Sequence, residues 1–279
     1  MEEDIPVLID CHTHLDCYRD SEIDGVIERA NNAGVRAIIL AGTTLASSRR
    51  VVELSHTRKQ LFAGVGIHPL DLTGNIDEQT YCQLDRLARS SEKVLVISEI
   101  GLDFNKDFPD RSIQYQAFRE QIRLALETNL PVVFHARESS DEVLRVLKEE
   151  KAYEVGGAMH YFQGDEVTAK KAIDLGFYIS IAKPILRLPD LQNVVSRIPL
   201  ENIVLETDAA PQPFKTKRDK WTEPKDLELI VKKVAELQNR TIEETKHQVL
   251  QNIKQMLGYK WSVIERHTNI CDSPSNRST

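Results

Sequence analysis

Cysteine is scarce and scattered in this sequence of 279 residues, with four residues at Cys11, Cys17, Cys82 and Cys271. None forms a Cys-x-x-Cys pair, so no disulfide framework is expected and a reducing compartment is compatible. Long apolar runs are also missing: none approaches the roughly 20 residues that a membrane helix needs. The first residues are acidic (Glu2, Glu3, Asp4), unlike a secretory signal or transit peptide. A cytoplasmic protein with no membrane contact is therefore expected. Positive charge is in deficit, because 36 Lys and Arg against 43 Asp and Glu leave a formal net charge of −7. Duplex-binding surfaces gain from phosphate neutralisation and counterion release, so an acidic chain argues against an extended one. A short strand end entering a site where metal ions supply the positive charge remains compatible. No internal repeat occurs, and no long linker appears before residue 260.

The chain is 41% hydrophobic and 28% charged, enough to bury a sizeable core. Short apolar runs alternate with longer amphipathic stretches. The candidate strands are Val7–Asp10, Ala37–Ala41, Phe62–Gly66, Val94–Glu99, Pro131–His135, Gly157–His160, Phe177–Ile181 and Ile203–Asp208. Helical patterns between them include Ile23–Ala33, Ser47–His56, Ser112–Thr128, Ser140–Lys148, Glu166–Leu175 and Leu188–Ile198. A final pair, Pro224–Leu237 and Thr241–Leu257, follows. Eight strands, most followed by a helix, predict an α/β fold: a single-domain (β/α)8 TIM barrel over residues 1–260. An open doubly wound sheet is the alternative. The barrel is favoured because His12, His14, His68, Glu99, His135, His160 and Asp208 all fall at or just past strand ends, which converge on one face of a barrel and are harder to bring together in an open sheet. Residues 261–279 are polar towards their end and lack periodicity, so a flexible tail is expected there.

Several of these positions suit metal chemistry. In Asp10-Cys11-His12-Thr13-His14 the two histidines, two apart in an extended segment, point to one side and can reach one cation. Two surface histidines are the plainer reading. Cys11 alternates to the other side and is not expected to be a ligand. Glu99 follows a buried apolar run, where a carboxylate is costly unless paired or bound to a cation. It can bridge two metals, or pair with Arg137 or a lysine. Asp103 can hold a ligand from behind or take an extra cation. His135 and His160 each close an apolar run; singly each reads as a core histidine, but together with Glu99 and the histidine pair they read as ligands. Asp208 can bind a metal and take a proton from the attacking water. Glu206, two residues earlier, can face the same side, unless one of the two carboxylates is a helix cap or ion-pair partner. Two divalent cations are thus expected, and no organic cofactor. They would lower the pKa of a bound water and stabilise charge on the attacked centre. His68 can orient the attacked group or donate to the leaving group, if it is not simply a loop histidine before Pro69.

Six ordered motifs resemble the TatD family of deoxyribonucleases. They are Asp10–His14, Gly66-Ile67-His68-Pro69, Glu99-Ile100-Gly101-Leu102-Asp103, Pro131–Arg137, His160-Tyr161-Phe162-Gln163-Gly164 and Leu205–Asp208, and together they cover most of residues 7–258. The resemblance implies a metal-dependent amidohydrolase-type barrel in which His12, His14 and Asp208 hold one metal, Glu99 bridges, and His135 and His160 hold the other. It implies Mg, Mn or Zn as occupants and places His68 beside the scissile phosphate; apart from the resemblance, Arg137 and Glu206 are expected as further substrate contacts. The implied activity is phosphodiester hydrolysis, 3′–5′ trimming of single-stranded DNA, with RNA also open, so the expected partner is a nucleic-acid strand end. The sequence names no protein partner.

The chain departs from the family pattern around the expected mouth. Tyr161 stands where a small residue is usual, and Gln163 where Ser or Thr is. Ala209–Phe214 replaces a usual Ala-Pro-Tyr, and Trp221-Thr222-Glu223-Pro224 replaces Arg-Asn-Glu-Pro. The basic run Lys215–Lys220 can receive a phosphate backbone or be a solvated loop. Two other readings are a same-fold hydrolase of a small amide, ester or lactone, and a non-catalytic partner subunit. Carbonyl-directed relatives often bridge their metals with a carboxylated lysine, so Glu99 favours the nuclease, and the intact ligand set argues against the non-catalytic reading.

Overall fold

A computed structural model describes residues 7–105, 109–268 and 270. Eight parallel strands form one sheet in sequence order. They are β1 (Leu8–Thr13), β2 (Val35–Ala41), β3 (Leu61–Val65), β4 (Val94–Asp103), β5 (Val132–Arg137), β6 (Gly157–Met159), β7 (Tyr178–Ile181) and β8 (Ile203–Leu205). Between them lie α1 (Asp20–Asn32), α2 (Leu45–Thr57), α3 (Glu78–Arg89), α4 (Arg111–Thr128), α5 (Ser140–Glu149), α6 (Glu166–Asp174) and α7 (Pro189–Val195). Then come α8 (Leu227–Leu237), α9 (Ile242–Leu257) and α10 (Trp261–Thr268). The expected (β/α)8 barrel is the fold, and the open sheet is set aside. The strands read as continuous apolar runs because a parallel sheet wrapped by helices is covered on both faces.

The sheet closes where β8 meets β1. His14 N–H donates to the Ala209 carbonyl at 2.8 Å, and Asp208 N–H donates to the His12 carbonyl at 3.1 Å. Beneath this seam the fully buried Asp10 carboxylate accepts from Thr207 N–H at 3.0 Å and from the Thr207 hydroxyl at 2.5 Å. Asp10 is therefore the side-chain staple of the barrel.

Ile9, Cys11, Ala37, Ile39, Phe62, Val133, Ala158 and Val204 form one apolar cluster. These residues precede the site histidines and carboxylates along their strands, so they fill the lower barrel. Cys11 belongs to this cluster and is in none of the groups that could hold a metal. Leu250, Ile253 and Leu257 of α9 and Trp261, Val263 and Ile264 of α10 join the same cluster, so these two helices stopper the end opposite the site. The expectation of a flexible tail from 261 therefore fails for Trp261–Thr268. Eight residues are too few for a periodic signal, yet Trp261 and Ile264 fall on one helical face and are buried. The rest of the expected tail lies outside the described residues, except Ile270, which packs against this cluster. No helix among the described residues is long and apolar enough to cross a membrane.

Candidate metal centre

The side chains singled out above converge at the C-terminal ends of the strands, some within strands rather than past them. His12 lies in β1, Glu99 in β4 and His135 in β5, whereas His14, His68, His160 and Asp208 follow β1, β3, β6 and β8. Two register shifts aim the innermost residues. One falls between Asp10 and Thr13, the other between Ile97 and Ile100, and they contain His12 and Glu99. Bulges of this kind re-aim a side chain without ending the strand. Gly101 makes the second possible: it sits at φ 147°, and a Cβ there would lie 2.0 Å from the His135 carbonyl oxygen. Asp208 (φ 52°) and Tyr161 (φ 46°) occupy the left-handed region, uncommon for a bulky side chain such as tyrosine. Tyr161 is held there by its N–H, which donates to Glu206 Oε1 at 2.7 Å.

Glu99 is the hub. Its Oε2 lies 3.4 Å from His12 Nε2 and 3.6 Å from His14 Nε2. Its Oε1 lies 3.2 Å from His135 Nδ1 and 3.5 Å from His160 Nε2. The two oxygens thus face two different pairs of imidazoles. His14 Nε2 is also 3.2 Å from Asp208 Oδ1 and 3.3 Å from His12 Nε2. Among the described residues no arginine or lysine pairs with Glu99, so Arg137 is not its counter-ion; Arg137 is exposed and lines the cleft. Such a crowd of nitrogen and oxygen lone pairs fits a divalent cation of borderline character; His12, His14 and Glu99 form one group that could hold an ion, with Asp208 beside His14, and Glu99, His135 and His160 form another.

Two carboxylates support the imidazoles from behind. Asp103 Oδ2 is 2.9 Å from His135 Nε2, and Glu206 Oε1 is 2.9 Å from His160 Nδ1. Carboxylates so placed fix ring orientation and raise ligand basicity. Asp103 is in one of its expected places, but Glu206 is not the expected substrate contact. It is fully buried, and its Oε2 accepts from the Ser180 hydroxyl at 2.6 Å. His68 differs from the other imidazoles: its Nδ1 accepts the Leu70 N–H at 3.1 Å, which leaves the ring proton on Nε2, 3.5 Å from Glu99 Oε1. A protonated Nε2 donates and does not ligate.

The charges follow from this packing. Burial pulls His14 and His160 towards neutrality, but Asp208 and Glu99 for His14, and Glu206 and Glu99 for His160, outweigh it and hold their pKa values at about 9 and about 10. Burial wins at His68, which is pushed down to about 4. Raised histidines keep their protons at neutral pH, and these protons must leave when a cation binds. Manganese affinity is therefore expected to rise from pH 6.5 towards pH 9, on the order of tenfold per unit for each proton displaced. The same histidines stabilise the chelator-treated fold fully below their unfolded value near 6.5, and lose that contribution as pH rises through about 9 to 10. Calorimetry in buffers of different ionisation enthalpy reads the released protons; pH-independent affinity without proton release would contradict this assignment.

The site opens into a cleft of about 750 Å³ lined by His14, His68, Glu99, Arg137, Tyr161 and Asp208 among others. Of the basic run, Arg218 is already engaged: it donates to Glu223 at 2.7 Å and Glu22 at 3.2 Å and stacks over Trp221. It braces the loop against α1 and is not free for a phosphate. Glu22 is distant in sequence, so nothing in the run itself betrays this pairing.

The model for TatD related DNase matches residues 9–258. The metal-dependent hydrolase YabD of Bacillus subtilis is 34% identical over 256 residues, covering 90% of this chain and 98% of its own. The metal-dependent hydrolase TatD of Mycobacterium tuberculosis is 30% identical, covering 91% and 99%. The crystal structure of the TatD homologue YJJV from Escherichia coli superposes with a TM-score of 0.82 at 27% identity, covering 91% of this chain and 98% of that one.

Proposed function

The chain belongs to the TatD family of DNase-like, metal-dependent hydrolases, and from that premise we propose that it is a phosphodiesterase trimming nucleotides from the 3′ end of single-stranded DNA with two divalent cations. The observation that carries this reading is the division of Glu99 between two pairs of imidazoles. His12, His14 and Asp208 would hold one cation, His135 and His160 the other, with Glu99 between them. Bound divalent cations lower the pKa of water and offset charge building on a phosphoryl group.

The remaining steps belong to the protein's own side chains. Asp208 is the more exposed of the two central carboxylates, 28% against 5% for Glu99, and takes the proton of the attacking water. His68, with its proton fixed on Nε2, donates to a phosphoryl oxygen or to the leaving oxygen. Arg137 at the cleft wall takes a phosphate of the bound end. A small amide or lactone would need none of this cationic reach, and Glu99 in place of a modified lysine points the same way.

Labelled strands test the reading. With Mn or Mg, 3′-labelled single-stranded DNA is expected to release labelled mononucleotide at once, while the 5′ label stays on a shortening ladder. His68→Ala is expected to lower kcat by about 10²–10³, the usual cost of losing one such donor, with KM little changed. Strands left intact by the metal-loaded wild type, while a lactone or amide is hydrolysed, would overturn the proposal.

A further inference from the structure

On an acidic protein, cations left without a partner at the mouth of the site are informative. Lys183, after β7, is ion-paired to Asp226, and Arg218 is held by Glu22 and Glu223. Arg187, also after β7, is exposed, and its side chain has no hydrogen bond or ion pair among the described residues. Lys215, after β8, is half-buried, and its ammonium donates, among the described residues, only to the Lys220 carbonyl at 3.1 Å. β7 and β8 are neighbours in the sheet, so the segments after them lie side by side on the face of the site, and the Lys183–Asp226 ion pair joins them; burial, together with Lys183 and Arg187, holds the Lys215 ammonium below its usual pKa. Tyr161, which follows the neighbouring strand β6, lines the cleft. Unpaired cations therefore stand in the sector after β7 and β8, next to the strand end that carries Tyr161.

Phe214 stands beside it in sequence and is 78% exposed, the most exposed large apolar side chain described. The others (Tyr153, Val167, Leu229 and Tyr259) all lie on helical turns. An exposed aromatic next to unpaired cations is the pairing that single-stranded nucleic acids require, since bases stack on rings while phosphates meet charge. A lone exposed phenylalanine or a solvated charge run is common. The two together on the rim of a phosphodiesterase cleft are not explained by either alone.

We propose that Arg187 and Lys215 take the phosphates, and Phe214 stacks on a base, of the nucleotides immediately 5′ of the linkage being cut. This rests on the reading that a strand is trimmed from its 3′ end. The sector after β7 and β8 is then the track along which the strand approaches, and Tyr161 is the step between track and cleft.

The test uses the full-length, manganese-loaded protein and its Phe214→Ala, Phe214→Trp and Arg187→Gln variants. Binding of a phosphorothioate decathymidylate is read by fluorescence anisotropy, and kcat/KM is compared for decathymidylate and dithymidylate. Phe214→Ala is expected to weaken decamer binding about tenfold, the scale of losing one stacked base, and Phe214→Trp to restore it. Arg187→Gln is expected to weaken binding and to flatten the slope of log affinity against log salt by about 0.7, one phosphate contact on a single strand. In both variants the preference for the decamer over the dimer shrinks through KM. Wild-type affinity and salt slope in the variants of an enzyme that still trims strands would overturn the track. A wild type that binds strands through these residues but cuts none would instead overturn the cleavage reading and leave the track standing.

Discussion

Glu99→Ala is expected to abolish strand trimming and manganese binding together, and to lower the melting temperature of the chelator-treated protein. The carboxylate, 4% exposed, lies within 3.6 Å of five imidazoles. Its charge helps keep His14 and His160 protonated at neutral pH. Removing it leaves those buried charges with Asp208 and Glu206 alone as partners, a loss of at most the roughly 3–5 kcal/mol of a fully broken buried pair. The catalytic loss is larger in rate terms, because several kcal/mol of charge stabilisation correspond to a fall on the order of 10³-fold or more. Glu99→Gln separates the two effects, since it keeps the shape and removes the charge. It too is expected to bind manganese poorly, as measured by equilibrium dialysis. A Glu99→Ala protein that still holds manganese at wild-type affinity would contradict the hub assignment.

Asp10→Ala is expected to be the most destabilising single change away from the ligands. It strands the Thr207 N–H and hydroxyl in the seam, where the His12 N–H also faces Asp10 Oδ1 at 3.4 Å. Each buried donor left without a partner costs about 1–3 kcal/mol, so a total of about 3–5 kcal/mol is expected. Because His12 and Asp208 lie within two residues of this staple, manganese affinity is expected to fall with stability. Asp10→Asn keeps one acceptor oxygen and is expected to lose less. Thermal unfolding with and without manganese checks both; an Asp10→Ala variant melting with the wild type would refute the staple.

Much of the barrel and most of the site are legible in the sequence, for identifiable physical reasons. Strands covered on both faces leave apolar runs, and polar side chains ending those runs have few structural roles open to them. What escapes reading depends on partners far away in the chain. The bulges at Asp10–Thr13 and Ile97–Ile100 exist only against β2 and β5, so β4 runs on to Asp103 where the apolar pattern ends at Glu99. The helix α3 buries only Leu84 and Ala88 fully, with Tyr81 and Leu87 half-buried against the core, a weak stripe among polar residues. Glu206 has the right parity and the wrong depth. It lies two residues before Asp208, directly after β8 and fully buried, where it meets Ser180 and His160 instead of the cleft. The helix α10 hides because its burial comes from filling a barrel end.

The most direct measurement is a manganese titration of the chelator-treated protein that follows bound metal per chain and nucleotide release from 3′-labelled single-stranded DNA in the same samples. Release is expected to rise with occupancy, to level off at two ions per chain, and to vanish in Asp208→Ala. A fully loaded protein that leaves the strand intact, or trimming that persists undiminished after chelation, would contradict a two-cation phosphodiesterase built around Glu99.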